Sequence, residues 1–246
     1  VITGRADTPA LLFTSQVGER QPRPQQVANS YVRWVNVVPD ARITFALDQT
    51  IVAQSLGAGE GSSLQNTAAG NYTLRIGSGL ANAEQFITLQ PFQRYSVYAF
   101  GKPDSLRIAV IEDDDVIFSS GTARIRLVQL GQPTDSNLDL GFAPHAGSAV
   151  NPSFAATPVA IGSAPINVPF GVRRVITALP NASSLAAQLS SGQYDFYIID
   201  AATNGVIAFM PAAAVDERQA YEIVVANIPG EEMVNIFALD YPPTSD

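Results

Sequence analysis

Short segments rich in Val, Ile, Phe, Tyr and Thr recur along the chain, separated by turns rich in Gly, Pro, Asn and Asp. Within these segments apolar and polar residues alternate: Tyr72, Leu74 and Ile76 share one face, and Asn71 and Thr73 share the other. A period of two is typical of β-strands with one buried face. The pattern predicts an all-β chain with strands at residues 31–38, 42–47, 49–55, 70–76, 84–89, 94–100, 105–112, 122–130, 138–142, 164–169, 173–177, 192–200, 206–210, 220–227 and 233–239.

One segment has a different period. In residues 183–189, Leu185 and Leu189 are four positions apart, the spacing of one face of a helix. We expect a short helix there, or a loop around a single turn.

Segments of the first half return in the second half. The three clearest pairs are Arg33-Trp34-Val35-Asn36 with Arg126-Leu127-Val128-Gln129, Gly70-Asn71-Tyr72 with Gly192-Gln193-Tyr194, and Tyr95-Ser96-Val97 with Tyr221-Glu222-Ile223. A repeating unit of about 100 residues is the size of a domain and is too long for a solenoid repeat. The repeat predicts two tandem antiparallel β-sandwiches, at residues 30–117 and 120–241, preceded by an extended N-terminal arm at residues 1–28.

Five aromatic residues are predicted to be structural. Tyr95 and Tyr221 each open a strand after a polar turn, the position of the tyrosine corner, in which the phenol bonds to backbone upstream. Tyr72, Tyr194 and Trp34 lie in strands with a core pattern.

The second unit also carries an insert at about residues 143–161, rich in Pro, Gly, Ala and Ser, which indicates a long surface loop.

Composition narrows the classes of partner. The net charge is −8 and basic residues are not clustered, which argues against nucleic acid and anionic membranes as partners. No apolar run approaches the roughly 20 residues of a membrane-spanning helix, so we expect no membrane insertion.

Only 15% of residues are charged, and such polar but weakly ionic surfaces are common in secreted proteins. Because the chain begins at Val1, we expect an exported protein, secreted or at the cell surface, whose signal peptide has been removed; a trimmed fragment is the alternative.

The repeated segments also resemble the signature of a known family. Its opening, Arg-Val-Val-His-Ala-Ser-Pro-Asp-Ala, is similar to the segment around Arg33, and its later elements are similar to those around Tyr72, Tyr95 and Glu112. The chain therefore resembles an uncharacterised family of exported bacterial and archaeal proteins with tandem immunoglobulin-like β-sandwiches. The resemblance implies a surface-exposed or secreted protein and brings no established activity. The signature His is replaced by Asn36 and Gln129.

Residues that support catalysis are scarce. His145 is the single histidine, no Gly-x-Ser-x-Gly elbow is present, and cysteine is absent. These features argue against a catalytic triad, thiolate chemistry and multi-histidine metal sites. The glycine-rich residues 57–62 lack a Lys and a following helix, so a turn is favoured over a phosphate loop. We expect a protein that is not an enzyme and that needs no cofactor.

A cluster of acidic residues at the joint between the repeats is the exception. Glu112, Asp113 and Asp115 offer the hard oxygen ligands that Ca²⁺ prefers. Since neighbouring residues of a strand point to opposite faces, only alternate carboxylates could converge. A solvated acidic connector is the competing interpretation.

The N-terminal arm suggests a mode of assembly. Leu11, Leu12, Phe13 and Val17 lie in an apolar segment, residues 9–17, which a Pro/Gln-rich spacer follows at residues 21–26. Such a segment can add as a strand to an exposed sheet edge. Donation to a neighbouring copy would build an open homopolymer, whereas docking on its own sandwich would leave a monomer.

Two functional hypotheses follow. The first is a non-catalytic extracellular structural or adhesive protein of a cell-surface layer, matrix or filament, whose partners are copies of itself or cell-surface components. The second is a surface module that binds carbohydrate or another ligand through the loop at 143–161.

Overall fold

The computed structural model describes residues 28–113, 119–130, 137–146, 159–160, 166–180, 183–227 and 234–241, and these residues contain strands and no helix. The all-β prediction is confirmed. The strands are β1 Asn29–Asn36, β2 Ile43–Leu47, β3 Thr50–Leu56, β4 Glu60–Gly61, β5 Gln65–Ala68, β6 Gly70–Gly77, β7 Asn82–Leu89, β8 Arg94–Lys102, β9 Ser105–Asp113, β10 Thr122–Leu130, β11 Leu138–Pro144, β12 Val159–Ala160, β13 Ile166–Asn167, β14 Arg173–Leu179, β15 Ser183–Ser190, β16 Gly192–Asp200, β17 Gly205–Val215, β18 Ala220–Asn227 and β19 Val234–Tyr241.

The described strands form four sheets. The first outer sheet has the order β3–β2–β6–β7, and the first inner sheet has the order β4–β1–β8–β9, with β5 also paired to β1. The second inner sheet has the order β15–β10–β18–β19, and the second outer sheet has the order β12–β17–β16–β11–β14, with β13 also paired to β17.

Three clusters of buried apolar side chains lie between these sheets. Trp34, Phe45 and Leu74 belong to a cluster built from the first repeat, and Leu127, Phe196 and Ile223 to one built from the second. The third cluster takes residues from both repeats, among them Val35, Tyr98, Phe100, Val128 and Val224. The central strands β1, β8, β10 and β18 are therefore buried on both faces, whereas β4, β5 and β15 keep exposed residues. The domain boundaries given above stay a prediction.

Burial on both faces is encoded in the sequence of β8. The alternate residues Tyr95, Val97 and Ala99 enter the first-repeat cluster, while Tyr98 and Phe100 point the other way into the shared cluster. Strands covered on both sides carry apolar residues at nearly every position instead of alternating. The run Tyr-Ser-Val-Tyr-Ala-Phe in β8 has this character.

Two strand pairs depart from the antiparallel arrangement predicted above. β1 runs parallel to β8, with Trp34 opposite Val97, and β10 runs parallel to β18, with Leu127 opposite Ile223. The remaining pairs are antiparallel, so each inner sheet is mixed. Parallel pairing is found where both faces of a sheet are covered, as they are here.

The expectation of a helix or loop at 183–189 is wrong. These residues belong to β15, which runs antiparallel to β10 from Thr122 opposite Ser190 to Gln129 opposite Ser183. In the first repeat, β4 and β5 pair antiparallel with β1 in the same place and lead into Gly70, as β15 leads into Gly192. Backbone pairing along a whole neighbouring strand outweighs the weak helical spacing of two leucines.

Four of the five aromatic residues predicted to be structural form two pairs at matching positions of the repeats. The phenol oxygen of Tyr95 accepts a hydrogen bond from the Gln90 N–H at 3.0 Å, and that of Tyr221 accepts one from the Asp216 N–H, also at 3.0 Å. Tyr72 donates to the carbonyl of Ala68 at 2.7 Å, and Tyr194 donates to that of Ser190 at 3.0 Å. Trp34 is fully buried and donates from Nε1 to Gln65 Oε1 at 3.1 Å.

Candidate functional site

A cluster of charged side chains lies buried between the two inner sheets. Arg33 on β1 points away from Val32 and Trp34, which enter the first-repeat cluster, so it faces the other sandwich. Arg126 on β10 likewise points away from Ile125 and Leu127. The same alternation that builds each core thus directs one arginine of each repeat into the contact between the repeats.

Glu222 on β18 is the centre of this cluster. Arg33 Nη1 lies 3.5 Å from Glu222 Oε1, and Arg126 Nη1 lies 3.4 Å from Glu222 Oε2. The phenol of Tyr98 donates a hydrogen bond to Glu222 Oε2 at 2.9 Å. The Glu222 carboxylate is fully buried. One acidic side chain of the second repeat thus binds one guanidinium group from each repeat.

Asp113, at the end of β9, supplies a second carboxylate. Arg126 Nη1 donates a short hydrogen bond to Asp113 Oδ1, and Ser96 Oγ donates to Oδ2 at 2.8 Å. The other terminal nitrogen of Arg126 donates to Ser184 Oγ at 2.9 Å. Arg126 therefore joins β9 of the first repeat to β10, β15 and β18 of the second.

Among the described residues, the charges of this cluster balance. Two guanidinium groups, from Arg33 and Arg126, face two carboxylates, from Asp113 and Glu222, and all four residues are buried. Removing charges from water is costly, and pairing with additional hydrogen bonds offsets the cost only when the geometry is right. Burial raises the pKa of Tyr98 well above its ordinary value, and the charge of Glu222 raises it further. The phenol therefore stays protonated and able to donate.

Apolar side chains surround the charges, and they come from matching positions of the two repeats. Val35 and its counterpart Val128 both enter the shared cluster, as do Val37 and Leu130. On β8 and β18, Tyr98 and Val224 do the same. Each repeat thus uses the same patch of its inner sheet, the arrangement found in two-fold symmetric dimers.

The arrangement is suited to holding two bodies in one orientation. Apolar contacts depend weakly on orientation, whereas ion pairs and hydrogen bonds depend on distance and angle. Sequence reasoning did not identify Glu222. The sequence does contain a signal, because Arg33, Arg126 and Glu222 are charged residues inside apolar strands. Strand alternation places each of them on the face opposite the core-facing residues.

The calcium candidates do not converge in the described part of the chain. Asp113 is buried against Arg126, Glu112 is exposed, and Asp115 lies outside the described residues. Among the described residues, no group of three or more His, Cys, Asp or Glu side chains is placed to hold a metal ion. The calcium hypothesis stays a prediction without support from these side chains.

The remaining candidates are only partly described. Leu11, Leu12, Phe13 and Val17 lie outside the described residues, as does most of the loop at 143–161. His145, at the start of that loop, contacts Asp195 Oδ1 through Nδ1 at 2.7 Å, and the same oxygen accepts the Ala212 N–H at 2.9 Å. This pair fastens the beginning of the loop to β16 and β17.

Comparison with protein families gives one match. Residues 30–140 match the model of a family described as a domain of unknown function, DUF4397. The match runs from β1 through β10 into β11, so it includes Arg33, Asp113 and Arg126 but ends before Glu222. No curated protein matches the chain.

Solved structures give distant matches. The tip fimbrial protein Mfa3 of Porphyromonas gingivalis is 8% identical with a TM-score of 0.27, covering 87% of this chain and 100% of its own. A family 26 carbohydrate-binding module of Eubacterium rectale Amy13K, solved with maltoheptaose, is 10% identical with a TM-score of 0.22, covering 87% and 98%. The Bacillus anthracis TIE protein is 8% identical with a TM-score of 0.23, covering 87% and 44%. Similarity at this level carries no functional argument.

The described residues form no helix that could span a lipid bilayer.

Replacing Glu222 with Ala tests the cluster. Among the described residues, the change leaves two buried guanidinium groups with one carboxylate. Losing one partner of a buried ion pair costs about 3–5 kcal/mol of unfolding free energy. Urea denaturation of Glu222→Ala and of the matched control Glu84→Ala, whose partner Arg75 is exposed, measures the difference. The control is expected to change little because exposed pairs are screened. Equal losses in the two variants would contradict the buried-cluster account.

Tyr98 gives a prediction for alkaline pH. Its folded-state pKa lies above the ordinary value of 10.0, so its contribution to stability is complete below pH 10 and declines as the pH rises towards the folded pKa. In that window the wild type should lose up to about 1.4 kcal/mol more per pH unit than Tyr98→Phe. Urea denaturation between pH 8 and 11 measures both slopes. Parallel slopes would show that the phenol is not held protonated.

Proposed function

We propose that the chain is a non-catalytic structural unit of an extracellular assembly, such as a surface layer, matrix or filament, in which the two sandwiches act as one stiff element. The observation that carries the proposal is the shared contact built by Arg33, Arg126 and Glu222. A subunit that transmits force or fixes spacing needs its domains in one orientation. Buried ion pairs inside an apolar cluster meet this need better than a flexible linker.

The buried carboxylates bind other groups of the protein, which supports a role without catalysis. Asp113 and Glu222 bind arginines, and Asp139 accepts both a short hydrogen bond from Arg174 and the Ala178 N–H at 2.7 Å. General acids and bases must reach a substrate. These carboxylates instead hold strands together.

Strand donation by residues 9–17 is the proposed mode of assembly. Among the described strands, β9 is an edge strand of the first inner sheet. It favours this mode because its inward-facing Leu106, Ile108 and Val110 pack against the first core but stay only partly buried. A strand added beside β9 would extend the first inner sheet and cover these side chains, with Leu11 and Phe13 entering the core on alternate positions. If the acceptor is a neighbouring copy, the contact is head-to-tail and builds an open filament.

Deleting residues 1–20 tests assembly. We expect self-association to be lost with folding intact, because the donated strand contributes to the contact between copies and the described sheets lie beyond it. Sedimentation velocity measures assembly, and circular dichroism measures folding. The double variant Leu11→Asp with Phe13→Asp should have the same effect, whereas Thr8→Asp with Thr14→Asp adds equal charge away from the apolar face and should assemble normally. A full-length protein that stays monomeric at high concentration would reject donation between copies.

A surface module that binds carbohydrate or another ligand is the second candidate function. Its proposed contact surface, the loop at 143–161, lies mostly outside the described residues. The observation in favour of this function lies elsewhere, in a polar cleft on the solvent face of the first outer sheet.

A further inference from the structure

The first outer sheet has one face on the first-repeat core and one face exposed. On the exposed face lies a cleft of about 670 Å³. Its lining includes the small residues Thr44, Ala46 and Gly77, which we call its floor, and the longer polar residues Arg75, Asn82 and Glu84. Strand alternation places them there, since Phe45 and Leu74 enter the core from the same strands. The volume falls in the range of about 300–1,000 Å³ that is typical of small-ligand sites.

Small residues keep the floor open. A Cβ added at Gly77 would lie 2.6 Å from Asn82 Oδ1, so glycine at this position leaves the Asn82 amide at the rim of the cleft. The hairpin that joins β6 to β7 contains Gly79, with φ of 84°, a conformation that favours glycine. The tight turn brings Asn82 back beside Gly77, its partner in the strand register.

The charges in the cleft cancel each other. Arg75 Nε lies 2.8 Å from Glu84 Oε2, and Arg75 Nη1 donates to the carbonyl of Asp48 at 3.2 Å. These contacts use two of the five N–H donors of the guanidinium group, and Glu84 has a second oxygen. The lining side chains carry one positive and one negative charge, and the charge of Asp48 also acts on Arg75. The cleft therefore offers planar donors and acceptors with no excess positive charge, which suits a neutral ligand rich in hydroxyl groups better than an anion.

An exposed aromatic ring extends the same face. Phe86 is 69% exposed and lies opposite Thr73, two positions along β7 from Glu84. Beside it on the face, Thr88 Oγ1 donates to Asn71 Oδ1 at 2.8 Å. A single exposed ring is common on protein surfaces. Phe86 bears on binding because it lies on the same sheet face as the cleft. Aromatic rings pack against the C–H face of a pyranose, while its hydroxyl groups need hydrogen-bond partners such as Arg75, Asn82 and Glu84.

We propose that this cleft, together with Phe86, binds a neutral saccharide. The inference rests on the second candidate function and names both its site and its ligand class; it is independent of assembly through the N-terminal arm. Arg75 donates hydrogen bonds to vicinal hydroxyl groups of the ligand, and Glu84 accepts hydrogen bonds from them. Asn82 contacts the ligand from the opposite side, and the ring of Phe86 packs against the sugar ring. The exposed position of the face suits a chain-like saccharide that continues beyond the cleft.

Calorimetry with the intact chain tests the site. The probes are neutral gluco-, manno-, galacto- and xylo-oligosaccharides, with acidic oligosaccharides as a comparison. We expect at least one neutral series to bind, and Arg75→Ala and Phe86→Ala each to weaken it at least tenfold. The matched controls Arg107→Ala and Phe170→Ala remove an exposed arginine and an exposed phenylalanine elsewhere and should bind as the wild type does. Glu84→Gln, which keeps the shape and removes the charge, should also weaken binding.

The outcomes separate the cleft from the wider function. If neutral oligosaccharides bind but Arg75→Ala and Phe86→Ala bind equally well, the cleft is rejected and a binding function survives at another surface. If no oligosaccharide binds, both the cleft and the saccharide-binding function are rejected. A preference for acidic oligosaccharides would overturn the argument from cancelled charge. Sedimentation of the same variants should show unchanged assembly, since none lies at the N-terminal arm.

Discussion

The rest of the structure depends on burying both faces of the central strands of the two inner sheets, β1, β8, β10 and β18. Each of these strands must place one set of alternate residues in its own sandwich and the other set against the neighbouring sandwich. Water cannot solvate the second set, so a charged residue there must find its partner within the protein. Arg33, Arg126, Asp113 and Glu222 meet this requirement together, because each guanidinium contacts a carboxylate and Glu222 contacts both.

Such a cluster contributes more to orientation than to stability. Well-packed apolar residues in the same positions would avoid the cost of desolvating four charges, and such replacements in other proteins are often neutral or stabilising. The apolar residues around the cluster, including Val35 and Val128, provide burial that is tolerant of small rotations. Because ion pairs and the Tyr98 hydrogen bond need defined distances, we interpret the charged cluster as the element that fixes how the two repeats lie.

Much of this fold could be predicted from the sequence because strand alternation and turn residues are local signals. The strands at Thr122–Leu130 and Ala220–Asn227 have the predicted bounds. β15 was not predicted, because Ser, Ala and Gln dominate it and two leucines have helical spacing; its assignment depends on pairing with β10, which is not local. Arg33 and Arg126 were recognised only as matching residues of a repeat. Alternation shows that both arginines point away from a core, but it does not show that another sheet covers them. The role of Glu222 and the contact between the repeats could therefore be identified only from the three-dimensional arrangement.

The most direct test of the central claim is the distribution of distances between the two sandwiches in solution. The natural sequence has no cysteine, so spin labels can be attached to cysteines introduced at the exposed Gln85 on β7 and the exposed Thr177 on β14 and measured by pulsed electron paramagnetic resonance. A fixed contact predicts one narrow distribution, which broadens when Glu222 is replaced by Ala. A broad or multiple distribution in the otherwise natural chain would contradict the account, because it would show that the buried cluster does not hold the repeats in one orientation.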